Sequence, residues 1–170
     1  MKLVPQGKNM IEKTIIDIGV YGFSEDEFFG RLVEAGTDIF VDIRQRRGVR
    51  GSKYAFVNSN RLQAKLAELG INYLYIKDLA PTKEIRELQK KHDLEVGIEK
   101  RNRIELGEIF VEEYKNKILS NYDFTDFKKA FGNDFFRPCF FCVEAHPSAC
   151  HRSLVCSKLS TDIPLFSIQK

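Results

Sequence analysis

The sequence predicts a three-layer α/β domain with a mostly parallel sheet of about five strands. Three patterns support that expectation. Short β-branched runs such as "IIDIGV" and "DIFVDI" have the length of buried strands, segments of helical period lie between them, and glycine punctuates the passage from helix to strand. At 170 residues, with 43% hydrophobic residues including 14 Phe, the chain can bury one core without a disulfide scaffold. No repeat or Pro/Gly/Ser-rich linker divides it. Residues 1–170 are therefore read as a single domain, with 1–12 as a flexible N-terminal segment.

In chain order, "KTIIDIGV" (13–20) reads as the first strand. "SEDEFFGRLVEAG" (24–36) opens with Ser24 and Glu27 at capping-box spacing and stops at Gly36, which predicts a helix. "TDIFVDIR" (37–44) is a second buried strand. "NSNRLQAKLAELG" (58–70) aligns Leu62, Leu66 and Leu69 on one helical face and ends at Gly70. "INYLYI" (71–76) is a third strand, and this alternation implies βαβ units with right-handed crossovers. Residues 83–131 differ: they are highly charged and read as a helical insertion or lid, with an amphipathic helix near 104–119 using Val111, Tyr114 and Ile118. "PCFFCV" (138–143) returns to the sheet, "CHRSLVCSKL" (150–159) is a helix, and "IPLFSI" (163–168) is the last strand. Strand order is not encoded in these local patterns.

Composition narrows the function classes. The apolar runs are too short to span a bilayer, and the first ten residues carry Lys and Pro without an apolar stretch. A cytoplasmic protein with reduced thiols is the expectation, with no membrane partner. The formal charge is +3, and its source is local: "RQRRGVRGSK" holds Arg44, Arg46, Arg47, Arg50 and Lys53 without an acid. Without those five, the 27 Lys and Arg of the chain fall to 22 against 24 Asp and Glu. A field of that kind attracts phosphates, carried by a small molecule or by a nucleic acid.

Ligands collect at the carboxyl ends of strands in open parallel sheets. Two loops there carry reactive chemistry: Asp42 and Arg44 after the second strand, and Cys142 and Glu144 after the fourth. If those strands are neighbours, the loops share one cleft. The segment "FFCVEAHPSACHRSLVCSKL" (140–159) holds three of the four cysteines and two of the three histidines, so a metal was the first candidate. Cys139 and Cys142 lie on a strand pattern, however, where side chains three apart face opposite ways, and residues 150 and 151 at a helix start diverge by about 100°. A smaller site using Cys142, Cys150 and His151 survives, and a metal site without catalysis stays open as an alternative, but no metal or cofactor is assigned.

A thiol site is the alternative. With Ser148 as N-cap, Cys150 falls in the first helical turn, where the dipole and Arg152 favour a thiolate. Cys142 then serves as a resolving thiol, and His151 or Glu144 as a proton carrier. An anion site uses the same helix start with Arg44 and Arg152 as ligands, supported by Arg46, Arg47 and Arg50. A purely structural Cys, Glu, His and Arg network remains open beside both, with Glu144 paired to Arg44 or Arg152. Cys139 and Cys156 read as core residues, and His146 and His92 as turn and surface residues.

"FSEDEFFGRLVEAGTDIFVDIR", "LQAKLAELGINYLYIKDLA" and "FFCVEAHPSACHRSLVCSKL" together resemble the family catalogued as domain of unknown function 488, over nearly the whole chain. The resemblance implies an α/β domain with a common site at Asp42, Arg44, Cys142, Glu144, Cys150, His151 and Arg152, and it assigns no activity. Members often carry Pro-Ser after the Asp-X-Arg arginine and Leu-Gly-Gly after the third strand; here those places hold "QRRGVRG" and "LAPT". "VDIR" at a strand end also resembles rhodanese-type sulfurtransferases, whose cysteine-to-arginine spacing this chain does not reproduce.

Overall fold

The computed structural model describes residues 13–131, 134–163 and 166–169. The N-terminal segment 1–12 and part of the run assigned to the last strand, residues 164–165, lie outside the described residues. Five strands form one sheet: β1 (Lys13–Ile18), β2 (Ile39–Asp42), β3 (Asn72–Tyr75), β4 (Pro138–Phe141) and β5 (Phe166–Ile168). Their spatial order is β3-β2-β4-β1-β5, and every pairing is parallel.

Helices cover both faces. On one side α1 (Glu25–Glu34) and α2 (Ser59–Glu68) bury Phe28, Phe29, Leu32, Leu62 and Leu66 against Phe40, Cys139 and Phe141. On the other, α3 (Lys83–Val96), α4 (Glu108–Lys117), α5 (Phe124–Phe131) and α6 (His151–Asp162) cover Val41, Ile43 and Phe140. The odd and even positions of β2 and β4 thus face different layers, which is the three-layer architecture that the alternation of elements implied.

The local signals explain the boundaries. Ser24 Oγ accepts from Glu27 N at 3.3 Å, and Glu27 Oε2 accepts from Ser24 N at 2.8 Å, a closed capping box at the head of α1. Gly36 and Gly70, at φ of 64° and 69°, take the left-handed conformation after α1 and α2. The next amides, Thr37 N and Ile71 N, reach back to Leu32 O and Leu66 O at 3.0 and 2.9 Å. Asn58 is not spent on capping α2: its Oδ1 accepts from Val49 N at 2.7 Å, which pins the arginine-rich loop to the head of that helix.

The insertion holds more structure than its periodicity indicated. α3 and α5 flank α4, and α4 buries Phe110 and Tyr114 rather than Val111 and Ile118 as its principal contacts. Its role is visible in Tyr114, whose hydroxyl donates to Leu79 O at 2.5 Å and whose ring meets His151 edge-on at 5.5 Å. The insertion therefore packs on the start of α6. Ser148 does not cap α6; Cys150 is the N-cap residue, in extended backbone at φ −139° and ψ 144°.

Candidate functional site

Because β2 and β4 are neighbours, with Asp42 opposite Phe141, the loops that leave them lie side by side. They open into a cavity of about 690 Å³, a size suited to a small molecule. The lining brings together Arg44, Cys142, Glu144, Cys150 and His151. Asp42 stands directly behind Arg44.

Arg44 is 3% exposed and Asp42 is fully buried. The guanidinium is held in a fork, Nε to Asp42 Oδ1 at 2.9 Å and Nη2 to Oδ2 at 2.7 Å, and it lies over the Phe141 ring at 4.7 Å. Tyr73 also donates to Asp42 Oδ2 at 2.8 Å. Burial, then the Asp42 charge, pushes that phenol up to about 12, so it stays a donor at neutral pH. One group is left over: among the described residues, Arg44 Nη1 is buried without a hydrogen-bond partner.

The second half of the site is a thiol cluster. Sγ of Cys142, Sγ of Cys150 and a ring nitrogen of His151 lie within 4.8 Å of one another. Cys150 Sγ is 3.7 Å from His151 Nδ1, and His151 Nε2 is 3.0 Å from Ile43 O. A carbonyl only accepts, so Nε2 carries a hydrogen and Nδ1 faces the sulfur. The extended backbone of Cys150 removes the 100° divergence expected of two consecutive helical residues.

Electrostatics separate the two cysteines. Burial alone would raise the Cys150 thiol, but the hydrogen bond with Cys142 and the charge of His151 outweigh it and bring Cys150 down to about 6. Cys142 moves the other way: its bond to Cys150, together with burial, pushes it well above an ordinary thiol. His151 is raised despite its burial, because the Cys150 thiolate stabilises the imidazolium. The pair thus favours thiolate and imidazolium, with Cys142 as a neutral donor. The cause is side-chain contact rather than the helix-dipole position that a Ser148 cap would have created.

Cys142 Sγ also lies 3.2 Å from Glu144 Oε2, so its single S–H is shared between that carboxylate and Cys150. Burial raises the Glu144 carboxyl, but Lys100 and then His151 carry it below its ordinary value. Lys100 Nζ is 3.4 Å and Arg103 Nη1 3.9 Å from Glu144 Oε1. Neither expected partner, Arg44 or Arg152, forms an ion pair with this carboxylate among the described residues.

Lys100 and Arg103 come from the insertion and are absent from the candidates read in the sequence. Asp93 anchors Arg103 through Nε at 3.1 Å, and Gln89 fixes Asp93 at 2.7 Å while accepting from Gly107 N at 2.9 Å. The available signal was "EKRNR" (99–103), with three cations against one acid. Altogether the cavity is lined by eight Lys or Arg against three acids.

The other candidates are distributed differently. Arg46 and Arg50 are exposed on the cavity rim, whereas Arg47 lies outside the lining, over the Tyr75 ring at 4.4 Å. Arg152 is 1% exposed and its fork is occupied: Nε bonds Asp17 Oδ1 at 2.7 Å, Nη1 the Glu144 carbonyl at 2.6 Å and Nη2 the Ala145 carbonyl at 3.1 Å. It ties α6 to β1 and to the loop after β4. Gly19 allows the same closure, since a Cβ there would sit 1.8 Å from Glu144 O. Cys139 and Cys156 are buried thiols raised by desolvation and lie outside the cluster. No described helix is long and apolar enough to cross a membrane.

No curated protein and no solved structure matches the chain. A family profile does, over residues 24–159, which includes every residue of the site just described. The chain belongs to the family described as domain of unknown function DUF488.

Proposed function

We propose that the protein binds a phosphate-bearing small molecule in the cavity at the carboxyl ends of β2 and β4, anchored by Arg44. The observation that carries this reading is Arg44 Nη1, a buried donor without a partner in a cavity rich in cations. Leaving such a donor unsatisfied is costly, and an anionic oxygen supplies a charge-assisted acceptor. Asp42 sets the plane of the fork beforehand, so little side-chain freedom is lost on binding. The concave shape favours a small ligand over a nucleic-acid strand.

Pyrophosphate is the probe for calorimetric titration. Arg44→Lys keeps a charge beside Asp42 but loses the fork, and a charge-assisted bond of about 1.5–3 kcal/mol predicts affinity lower by about 10- to 150-fold. Arg46→Ala with Arg50→Ala flattens the salt dependence with a smaller loss. Equal affinity in Arg44→Lys sinks the reading. So does salt-dependent binding of a single-stranded oligonucleotide that pyrophosphate does not displace.

A second reading, a cysteine-dependent reaction on the bound anion, is favoured by the 3.7 Å approach of His151 Nδ1 to Cys150 Sγ within the same cavity. Cys150 is then the nucleophile and His151 the proton carrier. In chelator-treated protein, alkylation of Cys150 by iodoacetamide, followed by peptide mass spectrometry, is expected to rise with pH through a midpoint near about 6. The sign follows from the lowered value: the thiolate is lost only below that midpoint. A midpoint at the ordinary thiol value counts against it.

A further inference from the structure

We infer that Cys142, Cys150 and His151 form a binding site for a single zinc ion, with its fourth coordination position open to the cavity. The inference is independent of the phosphate reading, because Arg44 is not among the three ligands.

The geometry fits a tetrahedral ion. Bonds of about 2.3 Å to sulfur and 2.1 Å to nitrogen require edges near ~3.6 Å between sulfur and nitrogen and ~3.8 Å between sulfurs. Cys150 Sγ and His151 Nδ1 are already 3.7 Å apart, and all three donor atoms lie within 4.8 Å. The imidazole is also oriented as a ligand: Nε2–H donates to Ile43 O at 3.0 Å, which leaves Nδ1 for the metal. Two thiolates and an imidazole select a thiophilic borderline cation over magnesium or calcium, which take oxygen donors.

Three protein ligands leave one position vacant, the pattern of an ion that also binds water or substrate. All three line the cavity that Arg44 also lines. Binding releases two protons, one from Cys142 Sγ, which lies 3.2 Å from Glu144 Oε2, and one from Nδ1 of the His151 imidazolium. Cys139, on β4, takes no part, since its sulfur lies outside the cluster.

Full-length protein stripped with a chelator is titrated with Co²⁺ and, in competition with a chromophoric chelator, with Zn²⁺. One equivalent is expected, with sulfur-to-cobalt charge-transfer absorption in the wild type. Losing a direct ligand costs at least what losing a ligand's supporting group does, so Cys142→Ser and His151→Ala should each weaken zinc binding by more than about tenfold. Cys139→Ser leaves it unchanged, as does Arg44→Lys, which separates this inference from the phosphate reading. Absence of binding by the stripped wild type, cobalt bound without charge-transfer absorption, or unaltered zinc affinity in folded Cys142→Ser/Cys150→Ser protein overturns the assignment. The cobalt spectrum needs no variant to fold.

Discussion

Asp42→Ala is expected to destabilise the protein by about 3–5 kcal/mol, because it strands a buried guanidinium. Asp42 is fully buried and Arg44 is 3% exposed, so water cannot replace the lost carboxylate. Four donors lose their acceptor at once: Arg44 Nε and Nη2, the Arg44 amide at 3.2 Å from Oδ1, and the Tyr73 hydroxyl. The same change removes the fork that aims Arg44, so pyrophosphate binding should fall together with stability. Urea unfolding measures the first effect and calorimetry on the surviving folded protein the second. A loss below about 1 kcal/mol, the scale of an exposed ion pair, would show that the pair is solvated.

Arg152→Ala should cost about 3 kcal/mol, at the lower end of the range for a broken buried pair. Its guanidinium is 1% exposed, but the Asp17 side chain left behind is 19% exposed and recovers some hydration. The two carbonyls of Glu144 and Ala145 also lose their donors, which loosens the loop carrying Glu144. Arg152→Lys keeps the charge without the three-way fork and should fall between wild type and alanine. In that folded variant pyrophosphate affinity should be unchanged, since Arg152 does not line the main cavity. A large loss of affinity with intact unfolding behaviour would instead return Arg152 to the ligand site.

These two arginines show where local pattern stops being informative. Arg44 and Arg152 look alike in sequence, each near a strand or helix end beside reactive residues. Their fates diverge because a guanidinium makes five N–H donors available, and only the three-dimensional surroundings decide which are already used. Arg152 meets a carboxylate and two carbonyls 135, 8 and 7 residues away; Arg44 meets one carboxylate two residues away and retains a donor. Likewise helical spacing predicts that Cys150 and His151 diverge, whereas α6 starts after Cys150 and the two side chains meet at 3.7 Å. Lys100 and Arg103 were passed over because nothing near them in the chain shows that α3 returns their loop to Glu144.

Local pattern specifies the strands, the two glycine-terminated helices and the α/β class, and it marks "VDIR" and "CVE…CHR" as candidate segments without showing that they meet. Period, capping and chain termination are short-range effects, so they are legible without a fold. Tertiary contacts alone place β4 beside β2, select which of the cations face the cavity, and supply the side-chain contacts that favour a thiolate at Cys150. Those depend on contacts between residues far apart in the chain, and on burial, which turns a shared hydrogen bond or a neighbouring charge into a large shift.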